Sequence, residues 1–262
     1  MIEWSGVVTH AVWAGIGAIG LYLWRRFHNW RKSLGHGALF AGLEGPTLFV
    51  FPPRPGTGRL LPHTAIEDFL AVNNIISAYL RVEKHPPDRL RDHDHLPDAE
   101  RKNNNLILIC SSKSNRVTKE AIDILRAKNR RLADLVPYFE DVPGKPGQIQ
   151  IKWNKGVFPS ESYDQSGPRL NDMAVIVKVR NPWAEQHTLL IVAGIRGVGT
   201  WGAAEMLKKW WKELYDSKDS SRNRRTRKQG DFAAIVSIHY EDHDIKGASL
   251  CQLVDLDNAY SD

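Results

Sequence analysis

The amino-acid sequence predicts an α/β protein with one mostly parallel, mixed sheet, helices on both faces of that sheet, and one transmembrane helix before it. Two observations lead to this prediction. Apolar, β-branched runs alternate along the chain with amphipathic helical patterns, which is typical of a parallel sheet covered on both faces. Before them, residues 5–24 contain no Asp, Glu, Lys or Arg. A helix of this length matches a bilayer core of about 30 Å.

The flanks of the uncharged segment predict its orientation. Tyr22 and Trp24 close it with rings that favour the headgroup level, and Arg25 and Arg26 follow, whereas the N-terminal flank carries only Glu3. Because basic residues stay in the cytoplasm, we expect a single-pass cell-membrane protein with its N-terminus outside and the lipid bilayer as a partner. The positive charge follows the apolar run, which argues against a cleaved signal peptide. A buried helix of a soluble protein is the alternative.

This assignment divides the chain into two parts. Residues 1–35 form the anchor with its basic flank, and residues 36–262 form a cytoplasmic domain that is long enough for one substantial core. Within the anchor, Ala11 and Gly15 are four residues apart and share a small helix face. Small faces let membrane helices approach closely, so we expect a homo-oligomer.

The composition excludes a disordered chain. Apolar residues make up 42% and charged residues 25% of the 262 residues, and the formal net charge is +6. Residues 218–228 hold six Lys or Arg against one Asp, with no aromatic residue between them. Nucleic acid is therefore not expected as a partner, and anionic lipid headgroups are the alternative to a solvated loop. Cys110 and Cys251 each lie in an apolar run, which predicts two buried thiols in a reducing compartment.

The spacing of apolar residues predicts the individual elements. Ile66, Phe69 and Leu70 begin a series that recurs at three and four residues, which predicts a helix capped by Thr64. Short β-rich pieces in residues 137–158, separated by Gly and Pro, predict short strands or a hairpin, which would make the sheet mixed. The strands expected in one sheet are 47–51, 105–110, 173–179, 188–193 and 232–239, and the helices expected to cover it are 64–81, 117–128 and 201–215.

The loops that follow three of these strands form the predicted ligand site. Parallel strands bring their carboxyl ends to one edge of a sheet, where ligands bind. After the fourth strand, Gly197 and Gly199 let the backbone approach a ligand, Thr200 is the expected helix cap, and Arg196 adds donors for a phosphate or carboxylate. The residues expected to line the crevice are Arg54, Ser111, Ser112, Asn115, Arg196, Gly197, Gly199 and Thr200.

The glycine pattern of residues 194–200 is Gly-x-x-Gly-x-Gly-Thr. It matches neither the dinucleotide-binding pattern Gly-x-Gly-x-x-Gly nor a P-loop, which ends in Gly-Lys-Ser/Thr. A strand-to-helix turn that binds nothing is therefore the alternative to a ligand site.

Two segments together carry a resemblance to a known type of domain. They are NLILICSSKSNRVTKEAI and AVIVKVRNPWAEQHTLLIVAGIRGVGTWGAAEML. Their order resembles that of Rossmann-like modules in archaeal S-layer-type proteins and in uncharacterised prokaryotic proteins, over about half of the proposed domain. The resemblance implies a Rossmann-like fold and brings no catalytic residues. Where such modules usually have Gly-Gly, this chain has Cys110 and Ser111.

Several titratable groups are further candidates. Residues 92–95 (Asp-His-Asp-His) have ligand types that suit divalent metals, but their polar surroundings favour a solvated loop, and we assign no metal site. His239 and Glu241 lie at the carboxyl end of the last predicted strand, within reach of the crevice. Glu67 and Asp68 are interpreted as favourable charges at a helix N-terminus.

Three functions are consistent with these features. The first is a membrane-anchored sensor or effector that binds a small anion such as a nucleotide, in prokaryotic defence or signalling. The second is a membrane-held enzyme acting on a nucleotide or nucleotide sugar, which would need an acid, base or nucleophile near residues 197–200. The third is a structural interaction module, whose crevice would be filled by the protein's own side chains. The sequence assigns no cofactor.

Overall fold

The fold was analysed in a computed structural model. It describes residues 21–24, 36–37, 39–52, 65–81, 89–163, 169–214, 230–242 and 244–260. Its strands are β1 (Thr47–Phe51), β2 (Arg89–Asp92), β3 (Asn105–Ile109), β4 (Tyr138–Asp141), β5 (Ile149–Trp153), β6 (Gly156–Pro159), β7 (Arg169–Arg180), β8 (Thr188–Gly194), β9 (Phe232–Glu241) and β10 (Asp244–Asp255). Its helices are α1 (Ile66–Tyr79), α2 (Asp98–Asn103), α3 (Arg116–Lys128), α4 (Arg130–Leu135) and α5 (Gly197–Lys208).

Seven strands form one mixed sheet in the order β10-β9-β7-β8-β3-β1-β2. The five strands that the apolar runs predict all lie in it. The description "mostly parallel" is wrong, because β1–β2, β1–β3 and β3–β8 pair in parallel while β7–β8, β7–β9 and β9–β10 pair antiparallel. The short strands or hairpin expected in residues 137–158 form a separate sheet, β4-β5-β6. The prediction that they make the large sheet mixed is therefore wrong, because its antiparallel pairs come from β7 to β10.

Helices cover both faces of the large sheet. On one face, α1 and α5 pack on Phe49, Ile107 and Val192, together with the chain around Phe40. On the other face, α3, α4 and the small sheet pack on the alternate residues, such as Leu106 and Ile191. Successive strand residues point to opposite faces, so the uninterrupted apolar runs supply both cores.

The helix boundaries differ from the predicted ones at their N-termini. Thr64, the expected cap of the first helix, lies outside the described residues, and Ala65 is the N-cap there without a side-chain bond. α5 begins at Gly197 rather than at residue 201, with Arg196 as its N-cap, and it ends at Lys208 rather than at residue 215. Arg196 likewise makes no capping bond with its side chain. The N–H groups at the start of α5 bond instead to a side chain of β7, that of Asp172.

The prediction of a membrane-spanning helix, and with it that of a single-pass cell-membrane protein, is contradicted. No helix in the described ranges is long and apolar enough to cross a bilayer. The longest of them, α1, has 14 residues and rises about 21 Å, against a hydrocarbon core of about 30 Å. Of the segment 5–24 on which the prediction was based, only residues 21–24 are described, and residues 5–20 lie outside the described residues.

The two cysteines differ in environment. Cys110 is buried at the end of β3, as expected, whereas Cys251 is exposed on β10. The expectation of a second buried thiol is wrong because β10 is an edge strand with a bulge between Leu250 and Gln252, which is where Cys251 lies.

A substitution at Gly202 tests the packing of α5 on the sheet. A Cβ atom at Gly202 would lie 2.1 Å from Cγ2 of Ile238 on β9. Overpacking costs about 1–3 kcal/mol, and the higher helix propensity of alanine offsets about 1 kcal/mol of it, so we expect Gly202→Ala to lower the free energy of unfolding by up to about 2 kcal/mol. Urea denaturation measures this loss. Gly247→Ala is the control, since its nearest contact is 4.0 Å away, and an equal loss in both variants would contradict the packing argument.

Candidate functional site

The candidate site lies at the edge of the sheet where β1, β3 and β8 end. These three strands are parallel and adjacent, so the loops that follow them start side by side. Ser111, Ser112 and Asn115 follow β3, and Arg196 to Thr200 follow β8. Arg54, the predicted site residue after β1, lies outside the described residues.

The N-terminus of α5 is occupied by the carboxylate of Asp172, a residue of β7. Its Oδ2 accepts hydrogen bonds from the backbone N–H of Arg196 at 3.0 Å and of Gly199 at 2.9 Å. Its Oδ1 accepts from the N–H of Met173 at 2.9 Å, and the Ser160 side chain also bonds to it. Asp172 is fully buried. The partial positive charge that was expected to attract a ligand anion therefore already faces a carboxylate of the protein.

Other atoms of the chain occupy the space that a side chain would need at each glycine of this turn. A Cβ atom at Gly199 would lie 2.4 Å from Asp172 Oδ2, and one at Gly194 would lie 2.2 Å from the backbone N of Thr200. At Gly197 a Cβ atom would lie 3.1 Å from Cβ of Glu67, in the first turn of α1. Close packing within the chain thus accounts for all three glycines.

The other predicted groups of this loop are also bound internally. Thr200 is buried, and its Oγ1 accepts from the N–H of Gly194 at 2.9 Å, so it closes the turn and does not cap the helix. The Arg196 guanidinium donates from Nη1 to the carbonyl of Ser162 at 3.2 Å and lies over the Tyr163 ring at 5.7 Å. Arg196 therefore extends toward residues 161–163.

Asn115 has a structural role in the neighbouring loop. Its Oδ1 accepts from the N–H groups of Val117 at 3.0 Å and Thr118 at 3.2 Å, which caps α3. Its Nδ2 donates to the carbonyls of Ile109 at 2.9 Å and Val50 at 3.3 Å, which joins the ends of β3 and β1. The side chain is fully buried, and these four bonds use its whole hydrogen-bonding capacity.

The serines next to Asn115 form a tight turn. The carbonyl of Ser111 accepts from the N–H groups of Ser114 at 3.0 Å and Asn115 at 2.8 Å. Ser111 is buried and Ser112 half-buried. Cys110, just before them, has φ = +79°, in a region that favours glycine. This is the position at which the resembling modules usually have Gly-Gly.

The first histidine cluster lies beside this edge. Asp92, His93 and Asp94 each offer one potential ligand atom, and these atoms lie within 4.8 Å of one another. However, His93 Nδ1 lies 3.4 Å from the backbone N–H of Arg116, and His93 Nε2 lies 3.1 Å from Asp94 Oδ1. Nδ1 is then the acceptor and Nε2 carries the proton toward Asp94, so this arrangement does not present an imidazole nitrogen to a metal.

His239, one of the two residues expected within reach of the crevice, instead belongs to a hydrogen-bonded group with three side chains that the sequence does not indicate. Its Nδ1 bonds to Oδ1 of Asn171 on β7, and its Nε2 lies 3.3 Å from Oγ of Ser249 on β10. Asn171 Nδ2 in turn donates to Glu161 Oε2 at 2.6 Å. No sequence spacing indicates this group, because the register of three antiparallel strands brings it together.

A polar cavity of about 510 Å³ lies at the opposite edge of the sheet, next to Arg180, Asp231 and Tyr260. These groups bond to each other. The N–H of Arg180 donates to Asp231 Oδ2 at 3.1 Å and to the Tyr260 hydroxyl at 3.3 Å. Burial raises the pKa of both Asp231 and Tyr260. The internal bonds explain how the chain tolerates these polar groups there.

Comparisons of the chain with models of protein families, with curated proteins and with solved structures gave no match. The resemblance to Rossmann-like modules therefore stays a prediction.

A pH titration tests the environment of Asp172. Burial raises the pKa of this carboxyl above its ordinary value of 3.8, and hydrogen bonds from Ser160 and from three backbone N–H groups oppose the rise. The folded state then holds the proton more tightly than the unfolded chain, so the free energy of unfolding falls as pH rises from about 3.8 through the raised pKa. We expect this fall in the wild type and its absence in Asp172→Asn. Parallel curves for the two proteins across that pH range would contradict the assignment.

Proposed function

We propose that the chain is an interaction module that acts through its surface, and that its carboxyl-edge crevice is closed by its own side chains. The buried Asp172 carboxylate on the N–H groups of Arg196 and Gly199 carries this proposal. A phosphate would need those same donors, and it would have to displace a carboxylate that also bonds Met173 and Ser160. This arrangement favours the third of the functions considered above over an anion sensor or a nucleotide-dependent enzyme.

The charges around the turn support the same conclusion. Glu67, in the first turn of α1, lies close to Gly197 at the start of α5, and Asp68 next to Glu67 is buried. An anionic ligand that approached α5 would therefore meet the carboxylates of Glu67 and Asp172. Arg196, the cation expected to balance such a ligand, is directed to the Ser162 carbonyl instead.

The surface that we propose for interaction is the outer edge of β10, on which the backbone N–H of Leu250 donates to Glu213 Oε2 at 3.3 Å. This strand spans twelve residues, and in the described part of the chain no strand pairs with its outer side. The opposite edge, β2, has only four residues. Short edge strands are a common protection against edge-to-edge pairing, and a long edge strand provides backbone donors and acceptors for another strand.

We propose that a second copy of this chain occupies the β10 edge. Pairing of two identical strands about a two-fold axis is antiparallel, which would continue the antiparallel order β7-β9-β10 into the partner. Ile245, Leu250 and Leu253 are only partly buried on β10 and pack against the core. A partner strand would cover more of their apolar surface.

Removal of the internal carboxylate tests the closed crevice. In Asp172→Ala, the N–H groups of Arg196, Gly199 and Met173 lose their acceptor, which costs about 1–3 kcal/mol for each donor left unsatisfied. We expect formate to raise the Tm of this variant and not that of the wild type, with chloride at equal ionic strength as the control. If the variant folds only in formate, its refolding yield in formate is compared with that in chloride, and a higher yield in formate supports the capping role. A variant that folds and shows no response to formate would contradict the capping role.

The Tm of the wild type in the presence of nucleotides tests the two competing functions, an anion sensor and a nucleotide-dependent enzyme. A nucleotide at about 100 times its Kd would stabilise the fold by about 2.7 kcal/mol, which is a readily measured rise in Tm. We expect no such rise with adenine or guanine nucleotides or with inorganic phosphate. A specific rise with any of them would overturn the proposal of a closed crevice.

A charge on the β10 edge tests the proposed self-association. Cys251 is exposed at the bulge of β10, so Cys251→Lys should fold normally and place like charges close together in a two-fold pair. We expect it to weaken the dimer at least about tenfold, equal to about 1.4 kcal/mol, in sedimentation equilibrium under reducing conditions. Val157→Lys, at an exposed position on β6, is the control. A monomeric wild type, or equal dimerisation of both variants, would contradict the proposal.

A further inference from the structure

We propose that Ser249 is a nucleophile activated by His239 and that it reacts with small activated carboxylic esters. The inference goes beyond the interaction role and does not depend on self-association. It rests on the hydrogen-bonded series Glu161, Asn171, His239 and Ser249.

The orientation of the Asn171 amide follows from Glu161. A carboxylate oxygen only accepts hydrogen bonds, so the Asn171 atom that lies 2.6 Å from Glu161 Oε2 is the donor Nδ2. The acceptor Oδ1 of the same amide then faces His239 Nδ1. Glu161 thus determines which atom of Asn171 the imidazole meets.

The orientation of Asn171 in turn determines the tautomer of His239. Because Asn171 Oδ1 can only accept, Nδ1 of the ring carries the proton. In the neutral ring Nε2 is then the acceptor, and it lies 3.3 Å from Ser249 Oγ. The serine hydroxyl therefore donates to a basic nitrogen, which is the arrangement of nucleophile, base and orienting group found in nucleophilic catalysis. The separation is long, as is common for such pairs without substrate.

The strand register explains why the three groups share one face. Asn171 pairs directly with His239, and Ser249 pairs with Ser237, two residues before His239 on the same face of β9. A bulge between Ile245 and Gly247 places Gly247 opposite His239. A side chain at that position would begin 4.0 Å from Cδ2 of the ring, so glycine leaves the imidazole uncovered.

The group is open to small molecules. His239 and Ser249 are exposed and Asn171 is half-buried, while Asp172, the neighbour of Asn171, points into the opposite face and caps α5. Asn171 and His239 therefore lie on one face of the sheet, and the Asp172 carboxylate that caps α5 lies on the other.

The proposed reaction has two steps. Ser249 Oγ attacks the ester carbonyl carbon as its proton passes to His239 Nε2, and the alkoxide or phenolate leaves with the electron pair of the broken C–O bond. The proton on His239 Nε2 then passes to the leaving group or to solvent, which restores the neutral ring. Water attacks the acyl-serine as one of its protons passes to Nε2, and Nε2 returns that proton to Ser249 Oγ as the acyl C–O bond breaks, which releases the carboxylic acid and restores the serine hydroxyl. Asn171 acts as a positioning residue that keeps the proton on Nδ1 throughout.

The full chain treated with p-nitrophenyl acetate provides the test. We expect a burst of p-nitrophenolate and, by peptide mass spectrometry, an acetyl group on Ser249. His239→Ala should slow this acetylation about 100-fold or more, the usual contribution of a general base. Ser249→Ala should abolish the labelling, whereas Ser237→Ala, the matched hydroxyl on the neighbouring strand, should not change it. Thermal unfolding of each variant verifies that it is folded.

Asn171 variants separate positioning from a structural role. Asn171→Ala should slow acetylation about tenfold or more by removing the orienting acceptor. The double variant Glu161→Gln/Asn171→Asp should restore much of the rate, because it keeps an oxygen toward Nδ1 and a donor–acceptor pair at the contact between residues 161 and 171. Absence of label on Ser249, labelling that is unchanged in His239→Ala, or equal labelling of Ser237 would overturn the proposal.

Discussion

The carboxylate of Asp172 connects the two halves of the sheet. It lies near the start of β7, in the antiparallel half, and binds the first turn of the helix that follows β8. An N–H group buried without an acceptor costs about 1–3 kcal/mol, and Asp172 accepts from three of them. The bond from Gly199 is buried and those from Arg196 and Met173 are part-buried, so the cost of losing the acceptor is largest at Gly199. The position of α5 on the sheet therefore depends strongly on this side chain.

The same carboxylate explains the glycines of the turn. Gly199 leaves space for Asp172 itself, and Gly194 leaves space for the backbone of Thr200. A glycine-rich strand-to-helix turn is thus open to two opposite interpretations, close approach to a phosphate or close approach to the protein. Only the identity of the neighbouring atoms distinguishes them, and at Gly199 the decisive neighbour is Asp172, which precedes it by 27 residues in the chain.

The sequence predicts elements and loop positions, but not which distant side chains meet in the folded chain. Buried strands such as β3 and β8 are visible in the sequence because their apolar runs are uninterrupted. β2 and β10 are not, since β2 is a short polar edge strand and β10 alternates exposed with partly buried residues. Loop positions could be predicted from strand order, which placed Asn115 and Arg196 at one edge of the sheet. Their roles could not, because the partners of Asn115 Nδ2 and of Asp172 are set by tertiary contacts.

The start of β7 shows how one strand can serve two purposes. Asn171 and Asp172 are consecutive, and consecutive residues of a strand point to opposite faces. Asp172 points into the face that holds α5, while Asn171 points to the face that exposes His239 and Ser249. A shift of one residue in the register of β7 would exchange these side chains, which would bury the amide at the helix terminus and move the carboxylate beside the imidazole. The capping bonds of Asp172 therefore also hold Asn171 in register with His239, so the buried contact on one face supports the geometry of the exposed group on the other.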